Sequence, residues 1–249
     1  MLEPHFPVSQ GGRPPKTHLR DVVDAILYLL RTGCQWRYLP KEFPPKSTVW
    51  RYFDTWQRDG TWDTIHDLLR RKVRTQEKPY APRPLSIDSQ SIDTTSGGEE
   101  RGRDNAKNVD GRKRHILVDR LGLLLAVLVT AANVDDAQTA QTLLTQLEGQ
   151  PVSRVKTINA DSKYHNFAFE DWVKLKTPWE INVINRPKGA KGWVLLPIRW
   201  TVERTFTWYP KCRRLSEDRD RTVYSSETFV LLAMIQHMLN PNNRKAQYY

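Results

Sequence analysis

Three acidic side chains stand where their types and surroundings permit phosphodiester chemistry. Asp88 closes the apolar segment LSID (Leu85 to Asp88), Asp161 closes VKTINAD (Val155 to Asp161), and Glu203 lies within IRWTVERTF. Carboxylate oxygens are hard ligands suited to Mg²⁺, which keeps much of its water and needs few protein donors. Two such ions about 3.5–4 Å apart can activate a nucleophile and stabilise the leaving oxygen of a phosphodiester. This chemistry requires carboxylates held by rigid elements that meet at one edge of a sheet. Each acid also has a plainer reading. A strand-end Asp often only forms a turn, as Asp119 does in this reading. A Glu one turn after an Arg is often a surface pair, and Arg199 precedes Glu203 by four residues. In a site of this kind, Arg199 orients Glu203 or holds a phosphate.

The elements that must position these groups follow from periodicity. Val22, Val23, Ile26, Leu27, Leu29 and Leu30 recur at helical spacing before Gly33, which falls at the cap position. Pro40, Pro44 and Pro45 forbid helix, and Ser47 or Thr48 can cap a second one carrying Val49, Tyr52, Phe53 and Trp56. A third helix is expected over Thr61 to Arg71. These helices, the second basic and aromatic, suit a small helix-turn-helix-like unit that contacts DNA or merely packs as a cap. Gln76 to Pro84 holds three prolines and reads as a linker.

Beyond the linker the pattern changes. Leu85 to Asp88 reads as a strand, and Ser96 to Lys113 as a long mobile loop. Arg114 to Asp119 and Leu123 to Ala132 read as a hairpin turning at Gly122. Asp135 and Asp136 can cap a helix ending near Gly149. A strand at Val155 to Asp161, a helix at Phe167 to Lys174 and a strand at Glu180 to Asn185 follow. Pro197 begins a helix that Pro210 ends, and a last helix spans Ser226 to Leu239. The order β-β-β-α-β-α-β-α-α implies an α/β domain with a mixed five-stranded sheet of ribonuclease-H-like topology. In that topology the first and fourth strands are neighbours, so Asp88 and Asp161 converge. The expected divisions are an arm (1–17), a helical unit (18–75), a linker (76–84), a catalytic domain (85–240) and a tail (241–249).

The 249 residues carry a formal net charge of +11, which favours a polyanionic partner, nucleic acid above all. Candidate DNA contacts are Arg51 and Arg58 on the second helix, Arg112, Lys113 and Arg114 entering a strand, Lys188 and Lys191 near the Glu203 helix, and Lys211, Arg213 and Arg214 after it. Trp200 and Trp208 are either core or stacking surfaces for an unpaired base. His115 and His165 read as structural. Cys34 and Cys212 lack metal or disulfide spacing, and the start lacks a secretory h-region, so a cytoplasmic, nucleoid-associated protein off the membrane is expected.

At these motifs a family resemblance emerges. IDSQSIDTT, GRKRHILVDRLGLLLAVLVTAANVDD, NADSKY and LPIRWTVERTFTWYPKCRRLSED resemble, in order, the blocks of DDE transposases of bacterial insertion sequences, specifically the IS-five group. The segment from Arg31 to Asp63 resembles that family's accessory helical region. The resemblance implies a catalytic triad of Asp88, Asp161 and Glu203, Mg²⁺ as metal with Mn²⁺ substituting, double-stranded DNA bearing terminal inverted repeats, and at least a homodimer on DNA. It implies metal-dependent cleavage at element ends and strand transfer into a target. Alternatives are a non-catalytic DNA-binding descendant and a ribonuclease-H-like nuclease. After Asp161 the family usually carries Gly-Gly-Tyr, where this chain has Ser162-Lys163-Tyr164.

Overall fold

The computed structural model describes residues 5–7, 17–76, 84–95, 97–150, 152, 154–184, 189 and 200–240. Their contacts divide into two compact units. One holds residues 1–77, 209–216 and 228–249, the other 78–208 and 217–227. The C-terminal pieces 209–216 and 228–240 belong to the same unit as the N-terminal helices.

In the helical unit, α1 (Leu19–Thr32) ends at Gly33, whose φ of 68° lets its N–H reach Leu29 O at 2.9 Å. A 3₁₀ turn (Trp36–Tyr38) leads to α2 (Lys46–Arg58) and then α3 (Thr61–Thr75). Neither Ser47 nor Thr48 caps α2. Pro45 holds the cap position, and its carbonyl accepts from Thr48 N and Val49 N at 2.8 and 3.1 Å. Val22, Ile26, Leu29, Val49, Phe53, Trp56, Trp62 and Ile65 are buried. Phe229 of the last helix, α7 (Val223–Leu239), stacks on Phe53 with ring centroids 4.9 Å apart. That apolar contact draws the C-terminal segment into this unit.

The second unit is built on a six-stranded sheet, ordered β2-β3-β1-β5-β6 with β4 also beside β3. The strands are β1 (Leu85–Asp93), β2 (Gly102–Asp104), β3 (Val109–Asp119), β4 (Leu124–Ala131), β5 (Thr157–Ala160) and β6 (Glu180–Val183). One more strand is present than the sequence implied. The expected loop at 96–113 instead supplies β2 and the first half of β3, turning through Asn108 at φ 52°. Helices α4 (Asp136–Thr145) and α5 (Phe167–Lys176) cover one face. There Leu85, Ile87, Leu117, Ala126 and Ile158 pack with Leu143, Leu144, Phe169 and Val173 in one apolar cluster. That cluster contains no residue of α6 (Trp200–Trp208), although α6 packs on β1 and β3. Side chains alternate across a sheet, so α6 lies over the opposite face. Among the described residues no helix is long and apolar enough to cross a membrane.

Two buried histidines make stability depend on pH. Burial pushes His66 down to about 3, with Arg70 adding to the effect and Asp67 opposing it. Burial likewise pushes His115 down to about 4, opposed by Asp136. In the unfolded chain both take protons near the usual histidine value of about 6.5. Between that value and the folded values the unfolded state binds more protons, so stability is complete above about pH 6.5 and declines as pH falls toward 4. Each histidine is expected to contribute a loss on the order of 3 kcal/mol over that interval. Calorimetric melting from pH 7 to 4 measures it, and His66→Gln and His115→Gln should each flatten the slope. A slope unchanged in both variants would refute the assignment.

Candidate active site

The pairing of β1 with β5 builds the site. They run parallel, with Leu85 opposite Ile158 and Ser86 opposite Asn159. Asn159 bridges the strands, donating to Leu85 O at 3.0 Å and accepting from Asn182 of β6 at 2.9 Å. Carrying this register on by two residues sets Asp161 beside Asp88. Ile87 and Ala160 face the α4–α5 cluster, so the alternating residues Asp88 and Asp161 face the side that α6 covers. Asp88 therefore lies mid-strand, four residues into a nine-residue β1, and does not end it as expected. β1 runs on past the point where β5 stops, which leaves Asp88 at an edge.

Both acids are nearly buried and held by backbone. Asp88 Oδ1 accepts from Ser89 N at 2.8 Å, and Asp161 Oδ1 from Lys163 N at 2.9 Å, capping the 3₁₀ turn Ser162–Tyr164. Tyr164 is fully buried in the α4–α5 cluster. Burial first, then the charges of Asp88, Asp136 and Asp161, push its phenol well above the ordinary value. Three carboxylate charges thus act on one phenol. Lys107, at the β2–β3 turn, is pushed down by burial and by Lys163 and pulled up by Asp104, Asp88 and Asp136. The edge consequently carries both signs of charge.

Glu203 is partly buried on α6. Among the described residues no three His, Cys, Asp or Glu side chains lie close enough to hold one ion. The β1–β5 register, carried on, pairs Asp88 with Asp161, and Glu203 lies on α6, which packs on β1 and β3.

The expected DNA contacts separate into groups. Arg112, Lys113 and Arg114 are buried and drop out. Arg112 pairs with Asp218 at 3.2 Å and donates to the carbonyls of Glu99, Asp220 and Arg221. Lys113 pairs with Asp136 at 3.1 Å and donates to Val134 O at 2.8 Å. Arg214 is buried too, 4.1 Å over Phe229 and 3.3 Å from Cys34 O. A guanidinium shut inside with its donors engaged has no reach to a phosphate. Arg51, Arg58, Lys211 and Arg213 are exposed, and all four belong to the helical unit. Arg58 pairs with Asp54 at 3.1 Å. Arg199, Lys188 and Lys191 lie outside the described residues.

Trp200 and Trp208 do not form a bare stacking surface. Arg204 lies over both rings, 4.7 and 5.6 Å from their centroids. His165 pairs with Glu170 at 2.8 Å on the surface, as a structural histidine would. Sequence reasoning missed Asp136 and Lys163. Asp136 was read only as a helix cap, but Asp135 is the cap, accepting from Gln138 N at 3.0 Å. Asp136 turns inward to Lys113, His115 and Lys163. The signal was the doubled acid Asp135-Asp136, since only one of two successive residues can occupy the cap.

Comparison with known proteins settles the class. Residues 79–240 match the family model "Transposase DDE domain", and residues 1–66 match "Putative transposase of IS4/5 family". The chain belongs to the DDE transposase family. It is an insertion-sequence transposase, an enzyme of that class. The transposase is 37% identical over 110 residues to "Insertion element IS402 uncharacterized 16.2 kDa protein" of Burkholderia cepacia, covering 41% of the chain and 74% of that protein. It is 34% identical over 111 residues to "Putative transposase for insertion sequence element IS402" of the same organism, covering 42% of the chain and about half (52%) of that relative. Among solved structures, a pre-cleavage Mos1 transpososome aligns over 97% of the chain and 81% of its own, at 13% identity and a TM-score of 0.34. At that score the likeness bears on neither the site nor its chemistry.

Proposed function

We propose that this transposase cuts the phosphodiester backbone at the ends of its element and joins the freed ends to target DNA, with Asp88, Asp161 and Glu203 as the carboxylates that hold two divalent ions. What supports the reading is the register of β1 against β5: carried two residues past Ser86 and Asn159, it pairs Asp88 with Asp161, both nearly buried. The donor set fits Mg²⁺, with Mn²⁺ able to replace it, because every candidate ligand is a hard oxygen. When bound, such ions supply Lewis-acid polarisation of the phosphate and activation of the attacking group. The chain's own part is to fix carboxylate geometry. Ser89 N and Lys163 N hold Asp88 and Asp161 in place.

Water attacks phosphorus at the element end, the P–O3′ bond breaks, and a 3′-hydroxyl leaves. That hydroxyl then attacks a target phosphodiester in line, and the target's own 3′ oxygen departs. No protein nucleophile enters either step. The partner is double-stranded DNA, engaged by Arg51, Arg58, Lys211 and Arg213 on the helical unit and by Lys107 and Lys163 near the carboxylates. Joining two ends calls for at least two copies of the chain, working on nucleoid DNA in the cytoplasm.

The test is a strand-transfer assay with DNA carrying the element ends and Mg²⁺, comparing wild type with Glu203→Gln. Wild type should cleave and join, and the variant should lose both by about 10²–10³-fold while still binding DNA. Binding by wild type without cleavage would show a decayed binding protein. Cleavage without joining would show a nuclease. Equal activity in the two proteins would remove Glu203 from the site.

A further inference from the structure

Glu203 can act with Asp88 and Asp161 only if α6 is held at one rotation. At 100° per residue, the buried side of α6 runs through Trp208, Thr205, Val202 and Phe206. Glu203 flanks that arc beyond Phe206, and Arg204 flanks it on the other side, beyond Trp208. A helix held by apolar contacts alone can roll. A roll of about 20° moves a group ~6 Å from the axis by about 2 Å, whereas carboxylate–metal distances tolerate only about 0.2 Å.

The Arg204 flank is locked. Arg204 Nη2 donates to Leu121 O at 3.0 Å, and its guanidinium spans Trp200 and Trp208, one turn before and one turn after it. Thr205, with no exposed surface, donates from Oγ1 to Gly122 O at 2.8 Å. The turn that accepts both bonds is itself braced, because Asp119 Oδ1 accepts from Leu121 N and Leu123 N at 2.9 and 3.0 Å. It also touches α6 closely. A Cβ added to Gly122 would meet Thr205 Oγ1 at 2.6 Å and Trp208 at 2.9 Å, and its φ of 78° already favours glycine. The lock is therefore two directed hydrogen bonds plus a fitted surface against a rigid turn.

We propose that Arg204 and Thr205 are positioning residues, which fix α6 on the β3–β4 turn and so set the rotation that presents Glu203 to Asp88 and Asp161. The proposal rests on the reading of those three acids as metal ligands. Arg204 itself touches neither metal nor DNA in this role, since its guanidinium faces the turn and the two indoles.

The test uses the full chain and Mn²⁺ alone, titrated by the electron paramagnetic resonance of the free ion, alongside cleavage rates. Arg204→Gln should weaken Mn²⁺ binding by about tenfold and slow cleavage by 10–100-fold, with metal-free DNA affinity unchanged and melting still cooperative. In a Glu203→Gln background the same change should add less than about twofold to either loss, because its effect passes through Glu203. A merely structural role would give additive losses. Should Arg204→Gln not fold, Thr205→Val, which removes one hydroxyl and keeps the shape, carries the same two readings. Wild-type Mn²⁺ affinity in the folded single variant, or additive losses in the double variant, overturns the proposal. If Glu203→Gln alone leaves Mn²⁺ binding untouched, the ligand reading fails instead, so the two failures are distinguishable.

Discussion

Replacing Asp88 by Asn is expected to lower DNA cleavage by on the order of 10³-fold, about 4 kcal/mol of barrier, while the protein melts no earlier than wild type. Asn keeps the size of Asp and can still accept from Ser89 N, so the local fold has no reason to change. What disappears is a charge. In the free protein that charge is a liability, because Asp88 is only 9% exposed and shares Tyr164 with the charges of Asp136 and Asp161. Removing it relieves repulsion, and the melting temperature should hold or rise. In the proposed cleavage step the same charge holds a cation, and a neutral amide is a far poorer ligand for Mg²⁺. Stability and activity should thus move in opposite directions, the mark of a residue kept for chemistry. Melting curves and single-turnover cleavage on one sample decide it. Activity within tenfold of wild type would remove Asp88 from the reaction.

The second large effect is on stability. Arg112→Met is expected to cost about 3–5 kcal/mol, the usual penalty for breaking a buried ion pair by deleting one partner. Arg112 has no exposed surface, and Asp218 is 1% exposed. Without the guanidinium the Asp218 carboxylate keeps its contacts from Ser226 and Asp220 N but loses its cation. The carbonyls of Glu99, Asp220 and Arg221 lose a donor as well. For a chain of this size the melting temperature should drop by about 10 °C. Adding Asp218→Leu should recover part of the loss, since an apolar pair leaves no buried charge unmatched. The contrast with Arg51→Ala is informative. That exposed residue should leave melting unchanged, while DNA affinity and its salt dependence weaken. An Arg112→Met protein that melts normally but binds DNA poorly would reverse the assignment of these two arginines.

The difference between Arg112 and Arg51 also shows where sequence reasoning stops. Both are arginines in basic company, and nothing local separates them. Arg112 is internal because Asp218, 106 residues later in the chain, meets it there, and such a partner becomes visible only once the chain has folded. The same long-range pairing explains why the polar stretch from Val109 to Arg114 is strand where a loop was expected. Its backbone gains ladder partners in β1, β2 and β4, and its cations gain buried acids, so weak local propensity is overridden.

Local chemistry decided much else. Gly33 ends α1 and Gly122 turns the β3–β4 hairpin because each adopts a positive φ that other residues resist. Apolar periodicity placed the helices and the order of the main strands, and from that order came the neighbouring of β1 and β5. The rotation of α6 was beyond its reach. Spacing puts Glu203 at the border of an apolar stripe, but which border faces the acids depends on Arg204 and Thr205 meeting the carbonyls of Leu121 and Gly122, more than eighty residues earlier. Periodicity fixes which side chains share a face. Only the packed structure decides what that face meets, because the energy resides in contacts between segments remote along the chain.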